Sequence, residues 1–469
     1  MTTANPRRNR GVARLAASVV ASGLVVAGVL TGAGGAVADE APPHQGGATA
    51  VLDGLKTFDT AVLHTDGKSQ KLPAGLFEMT VDGGGKFKTY CIDIHNPTQD
   101  QAKYLETPWD QTSLGTNKNA GRIRWILEHS YPKIDDLQAL ADKAGTGPLT
   151  EQTAAAGTQV AIWRYSDKAD VTASDAQAEK LADWLETSAT NTSEPKASLA
   201  LDPVAVSGHP GERVGPVTVH TNAGQVSVSP PADSASGVRI TDKKGKAVTT
   251  AANGSQLWFD IPAGAADGTA SLTVQATTSV PVGRAFAGAT KSQTQILAGS
   301  SESTVSANVN ATWAGKGAIP AVTAKKNCAK GGVDVTTSNK GDAAFTYELA
   351  GQEHTVAPGK SETVTVPVAE DQAYDVTVTG PAGFTRTFKG VLDCLTAGSG
   401  NDLTTQTAEQ PTTITATAGG STTGAEGNLA ETGGSNATPM IAGIAIALVV
   451  IGGGAVFFLR RHKGQTSGE

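Results

Sequence analysis

The chain has 469 residues, with 55 Gly, 22 Pro and only 5% aromatic residues. Such a length exceeds one core and predicts about three domains with modest cores joined by turns. The formal charge of −7 excludes nucleic acid and anionic membrane surfaces as partners, since like charges repel.

At the N-terminus, Arg7, Arg8, Arg10 and Arg14 precede an apolar run from Leu15 to Leu30, and Ala36-Val37-Ala38 follows. This is the pattern of a secretory signal peptide, 1–38, cut after Ala38; an uncleaved anchor is the other reading. Removing it takes four Arg and leaves a charge of −11. Residues 39–50 are polar and Gly-rich and read as disordered.

Strands and turns fill 51–100. The apolar stretch Leu76–Val81, the glycines Gly83, Gly84 and Gly85, and the run Phe87–Ile94 predict a hairpin. Period-two alternation puts Cys91, Asp93 and His95 on one face, with Tyr90, Ile92 and Ile94 on the other. Asp93 there either moves a proton for Cys91 or bonds a nearby turn, and His95 opens the Asn96-Pro97 turn.

Three helices follow. The first covers Arg122–His129. The second, Glu151–Tyr165, has Thr150 as its N-cap. The third begins at Ser174 and Gln177, which have capping-box spacing, and carries Ala178, Leu181, Trp184 and Leu185 as an apolar stripe. On the second helix, Gln159 lies in an apolar run from Ala154 to Trp163 and shares a face with Ala155, Ala156, Ile162 and Trp163. A buried amide without partners costs ~1–3 kcal/mol, so Gln159 must be bonded. It is either a satisfied core residue or a reactive one. Cys91, likewise, is either an inert buried thiol or a reactive one.

Thr158-Gln159-Val160-Ala161-Ile162-Trp163, together with Cys91-Ile92-Asp93, resembles the thioester-domain surface proteins of Gram-positive bacteria over residues 48–194. The resemblance implies an α+β domain in which Cys91 and Gln159 form an internal thioester, with Thr158, Trp163 and Asp93 around it. It further implies an adhesin that joins the Gln159 acyl group to an amine on a target surface, once per molecule, so that the chain is no enzyme.

Alternating runs such as Val217–His220, Gln225–Ser229, Leu272–Gln275 and Val305–Val309, separated by turn residues, predict a β-sandwich over 201–320. A smaller Ig-like sandwich is expected over 321–395. Its ends carry Cys328 and Cys394, and a bridge between them adds ~4 kcal/mol in the chain-entropy model. Three cysteines are present, so that bridge leaves Cys91 alone, capped as a thioester or simply buried.

Residues 396–428 are Thr/Gly-rich and read as a disordered, wall-spanning linker. The sequence closes with Leu429-Ala430-Glu431-Thr432-Gly433, an apolar span 440–459 and the basic tail 460–469. Twenty residues at ~1.5 Å rise cross the ~30 Å of a bilayer, and the tail stays cytoplasmic. The arrangement resembles a sortase sorting signal, with Ala430 as in the variant read by actinobacterial sortases. It implies cleavage after Thr432 and a covalent bond from Thr432 to peptidoglycan, the membrane serving only before sorting. Removing 433–469 brings the charge to −13.

The expected architecture is thus multidomain: an α+β thioester domain, two all-β sandwiches, a disordered linker and a C-terminal transmembrane helix. The protein is expected outside the cell on the wall. Two other functions stay open: a non-covalent adhesin or wall stalk without a reactive bond, and a secreted Cys hydrolase. There is no Gly-rich phosphate loop, His-Glu-x-x-His or Cys-x-x-Cys pair, so neither a cofactor nor a metal is expected.

Overall fold

The computed structural model describes residues 46–229, 231 and 237–396. The expected signal peptide, sorting motif, transmembrane span and basic tail, and the linker beyond Thr396, lie outside the described residues. The first sheet starts with a long hairpin, β1 (Thr49–Thr65) and β2 (Lys68–Val81). Asp66 and Gly67 turn it with φ of 49° and 73°, the left-handed pair that a type I′ turn needs and that Asp-Gly readily adopts. Strand β1 therefore begins inside the 39–50 stretch that reads as disordered: Thr49, Ala50 and Val51 pair with Leu105, Tyr104 and Lys103.

Strand β3 (Lys86–Cys91) folds back on β2 with Met79 opposite Phe87, as the Gly83–Gly85 turn predicts. Strands β4 (Lys103–Thr107) and β5 (Val171–Ala173) add to β1. Four helices cover the sheet: α1 (Ala120–His129), α2 (Leu137–Ala144), α3 (Glu151–Ser166) and α4 (Ala176–Ser188). Helix α2 has no counterpart among the expected helices. Thr150 and Thr153 cap α3 reciprocally. On α4 the cap is Asp175, which accepts from the N–H groups of Gln177 and Ala178, in place of Ser174; Gln177 instead accepts from the Gly147 N–H at 2.5 Å.

Helix α3 is the centre of the domain. Every residue from Ala154 to Trp163 is buried, so this stretch has no solvent face and no single apolar stripe. Gly157 lets it lie against α4: a Cβ there would stand 2.5 Å from the Ala178 carbonyl oxygen.

The second domain comprises β6 (Leu199–Asp202), β7 (Ala205–Gly208), β8 (Arg213–Thr221), β9 (Val226–Ser229), β10 (Arg239–Thr241), β11 (Thr250–Ala251), β12 (Gln256–Asp260) and β13 (Gly268–Ser279). After β13 the chain leaves the sandwich, forms β14 (Ala285–Gly288) and β15 (Gln295–Ser300), and returns as β16 (Glu302–Trp313). The sandwich has sheets ordered β10-β12-β8-β6 and β11-β9-β13-β16-β7. The β14–β15 hairpin belongs to the first sheet, ordered β2-β3-β15-β14-β4-β1-β5 with β2 also paired to β1. The stretch 201–320, expected as one self-contained sandwich, thus lends two strands to its neighbour.

That loan closes the sheet on itself. Without β14 and β15, β3 and β4 would each expose an edge of unpaired N–H and C=O groups; closure removes both edges. A buried ion pair fastens the hairpin: Arg284 Nε donates to Glu106 Oε1 at 2.8 Å, and Arg284 also bonds Glu194. Glu106 Oε1 further accepts from the Ser198 N–H, and its Oε2 from the Ala48 N–H. One apolar core runs through both domains, from Ala48 to Trp313.

The third domain has β17 (Pro320–Asn327), β18 (Gly332–Asn339), β19 (Phe345–Leu349), β20 (Gln352–Val356), β21 (Ser361–Pro367), β22 (Ala373–Thr379) and β23 (Thr385–Val391). They form sheets β17-β18-β21 and β20-β19-β22-β23 around a separate core that includes Val333, Val335, Tyr347 and Val378. Cys328 and Cys394 are disulfide-bonded with Cα atoms 5.1 Å apart. The described residues are mostly β with few helices, and no helix among them is long and apolar enough to cross a membrane.

Candidate functional site

Cys91 is the last residue of β3, and Gln159 sits midway along α3. Both are fully buried. The carboxamide of Gln159 spans to the backbone of Cys91 in both directions: its Oε1 accepts from the Cys91 N–H at 3.0 Å, and its Nε2 donates to the Cys91 carbonyl oxygen at 2.9 Å. Two bonds of ordinary length satisfy the buried amide and hold its carbonyl carbon beside the residue that carries the thiol. Cys91 is the free cysteine among the described residues.

The sulfur has a neighbour that the sequence does not reveal. Gln295 pairs with Cys91 in the sheet, and its Nε2 donates to Cys91 Sγ at 3.1 Å. Its Oε1 accepts from Thr89 Oγ1 at 3.0 Å, which fixes the amide with its N–H toward the sulfur. Burial pushes the Cys91 thiol well above its ordinary range; the Gln295 bond works against that, and the charges of Asp93 and Asp167 add to it. Free thiolate is therefore scarce in the resting site.

Thr158 is buried and spends its hydroxyl on the Ala154 carbonyl, at 2.7 Å. Trp163 is buried one turn beyond Gln159, and its Nε1 has no hydrogen-bond partner.

Asp93 differs from the alternation that predicts it on the Cys91 face. The strand ends at Cys91, so the period of two stops there. Asp93 belongs to the following turn, accepting from the His95 N–H at 3.0 Å and from Asn96 Nδ2 at 2.5 Å. This is the turn-acid alternative; no hydrogen bond joins Asp93 to Cys91 or Gln159. Burial, then the charge of Asp393, raises its pKa from 3.8 to about 8. Asp167, which accepts from the Ile94 N–H and from Ser166 Oγ, is also raised well above the usual carboxylate range by burial and by Asp93.

With this geometry in view, residues 88–191 match the family model of the thioester domain, a span that contains both Cys91 and Gln159. Residues 320–391 match that of the bacterial phospholipase C C-terminal domain. No curated protein matches the chain. Among solved structures it is similar to the Bacillus anthracis TIE protein at 14% identity, covering 74% of this chain and 63% of that one, with a TM-score of 0.27. It is also similar to the thioester domain of the Enterococcus faecium TIE86 protein at 14% identity, covering 57% of this chain and 96% of that one, with a TM-score of 0.26. Scores this low do not establish a shared fold.

Proposed function

We propose that this chain is an exported adhesin in which Cys91 and Gln159 condense into an internal thioester that is later spent on an amine of a target surface. The observation that carries the reading is the paired bonding of the Gln159 carboxamide to the N–H and C=O of Cys91, within the span that matches the thioester domain.

In the first step the Cys91 sulfur adds to the Gln159 side-chain carbonyl carbon, the C–N bond breaks, and ammonia leaves with the thiol proton. An amide is a poor acyl donor, so positioning must lower the barrier, and orientation supplies up to ~7–11 kcal/mol of this kind. The Gln295 N–H bonds the sulfur directly, and that bond strengthens as the sulfur gains charge. In the second step an amine attacks the same carbon, the C–S bond breaks, and the proton lost by the amine ends on Cys91. A neutral thiol is the favoured product because burial disfavours the thiolate.

Burial of both partners keeps water from the bond. Each molecule reacts once, so it is a cross-linker and not a catalyst. Sortase cleavage at Thr432 and linkage to peptidoglycan would place the reactive domain on the cell wall.

Methylamine tests the reading. It should add to the protein at Gln159 and free the Cys91 thiol. A protein that takes up no methylamine while retaining its full ammonia content would favour the inert adhesin instead.

A further inference from the structure

Five buried or half-buried carboxylates meet near the Cys91 turn: Asp93 and Asp167 of the first domain, and Glu370, Asp371 and Asp393 of the third. Asp393 acts electrostatically on both Asp93 and Asp167. Lys326 contributes one positive charge, acting on Asp393 and Glu370. One oxygen each of Glu370, Asp371 and Asp393 lie within 4.8 Å of one another.

Protein bonds use only part of these three groups. Glu370 Oε1 accepts from the N–H groups of Cys394 and Leu395 at 2.6 and 2.8 Å. Asp371 Oδ1 accepts from Asn96 Nδ2 at 3.1 Å. Asp393 is only 7% exposed; its Oδ2 accepts from Thr294 Oγ1 at 2.6 Å, while its Oδ1 has no partner. A buried carboxylate oxygen with nothing bonded to it, set in a cluster of like charge, requires a cause.

We propose that Glu370, Asp371 and Asp393 form a calcium site at the seam between the third and first domains. This departs from the expectation, drawn from the sequence, of no metal. An all-oxygen donor set suits a hard cation and not zinc. Calcium takes six to eight oxygens at ~2.3–2.6 Å in flexible geometry, so three oxygens within 4.8 Å reach it with small adjustments; magnesium demands a tighter octahedron. The charge of the ion also offsets the repulsion among the five acids. Through Asp371–Asn96 and Asp393–Thr294, the bound ion ties the third domain to the turn after Cys91 and to the residue preceding Gln295. The site stands whether or not the thioester forms.

The test uses the full-length protein, stripped with a chelator and titrated with calcium chloride by calorimetry and thermal unfolding. One calcium ion per chain and a saturable rise in Tm of several degrees are expected, with a smaller rise from equal magnesium. Asp371→Asn and Glu370→Gln should each weaken calcium binding on the order of tenfold or more while leaving the chelated Tm near that of the parent. No calcium binding at millimolar concentration, binding unchanged in both variants, or equal stabilisation by magnesium would each overturn the proposal.

Discussion

Replacing Gln295 by Ala separates the reactive chemistry from the fold. The substitution removes the N–H 3.1 Å from Cys91 Sγ and the acceptor of Thr89 Oγ1. In the resting protein that N–H meets a neutral thiol; during closure it meets a sulfur carrying charge. Only the strengthening counts toward rate. A hydrogen bond to a charged group exceeds a neutral one by ~1–1.5 kcal/mol, so closure should slow about tenfold. Separately, the orphaned Thr89 hydroxyl lowers stability by ~1–3 kcal/mol. Intact-mass measurement at intervals after cell-free synthesis follows the loss of ammonia directly. A folded Gln295→Ala protein that closes as fast as the parent refutes the role. So does a Gln159→Ala protein that still loses ammonia while Gln295→Ala does not, because the acyl carbon would then belong to Gln295.

Other consequences follow from the same contacts. Arg284→Ala leaves the buried Glu106 without its ion partner, and should cost ~3–5 kcal/mol of stability in chemical denaturation; a loss under 1 kcal/mol would contradict the role given to this ion pair in fastening the hairpin. Asp93 is expected to give up its proton near pH 4 in the unfolded chain and near pH 8 in the folded one. Between those values the folded state binds more protons, so stability should fall as pH rises; Asp93 contributes up to ~1.4 kcal/mol per pH unit, and Asp167 and Asp393, raised by the same burial, add in the same direction. Denaturation at pH 5 and pH 8 with chelator present checks this, and Asp93→Asn should make the slope shallower without removing it, since Asp167 and Asp393 remain. Reducing the Cys328–Cys394 bridge, which joins positions 66 apart, should remove ~4 kcal/mol from the third domain, read as a reductant-dependent fall in its Tm.

What the sequence discloses follows from the range of each signal. Local patterns were legible: the Gly83–Gly85 hairpin and the Thr150 cap arise from neighbouring residues and appear where they are expected. The pairing of Cys91 with Gln159 across 68 positions was legible only through the motif around each. Gln295 was not, because it lies in a stretch whose alternation reads as sandwich and no local pattern marks a strand that joins another domain's sheet. Of the two readings of Asp93, proton mover for Cys91 or turn acid, the structure shows the turn bonds, because alternation holds only while the strand lasts, and the strand ends at Cys91. Nor does composition show the seam where Asp371 meets Asn96, because domain docking is set by contacts between residues hundreds of positions apart.

The most direct measurement of the central claim is the intact mass of the secreted protein, purified without added amines. The account predicts a mass one ammonia below that of the disulfide-bonded sequence, with the deficit abolished in both Cys91→Ala and Gln159→Ala. A full-mass protein whose Cys91 reacts with a thiol reagent on unfolding would contradict it.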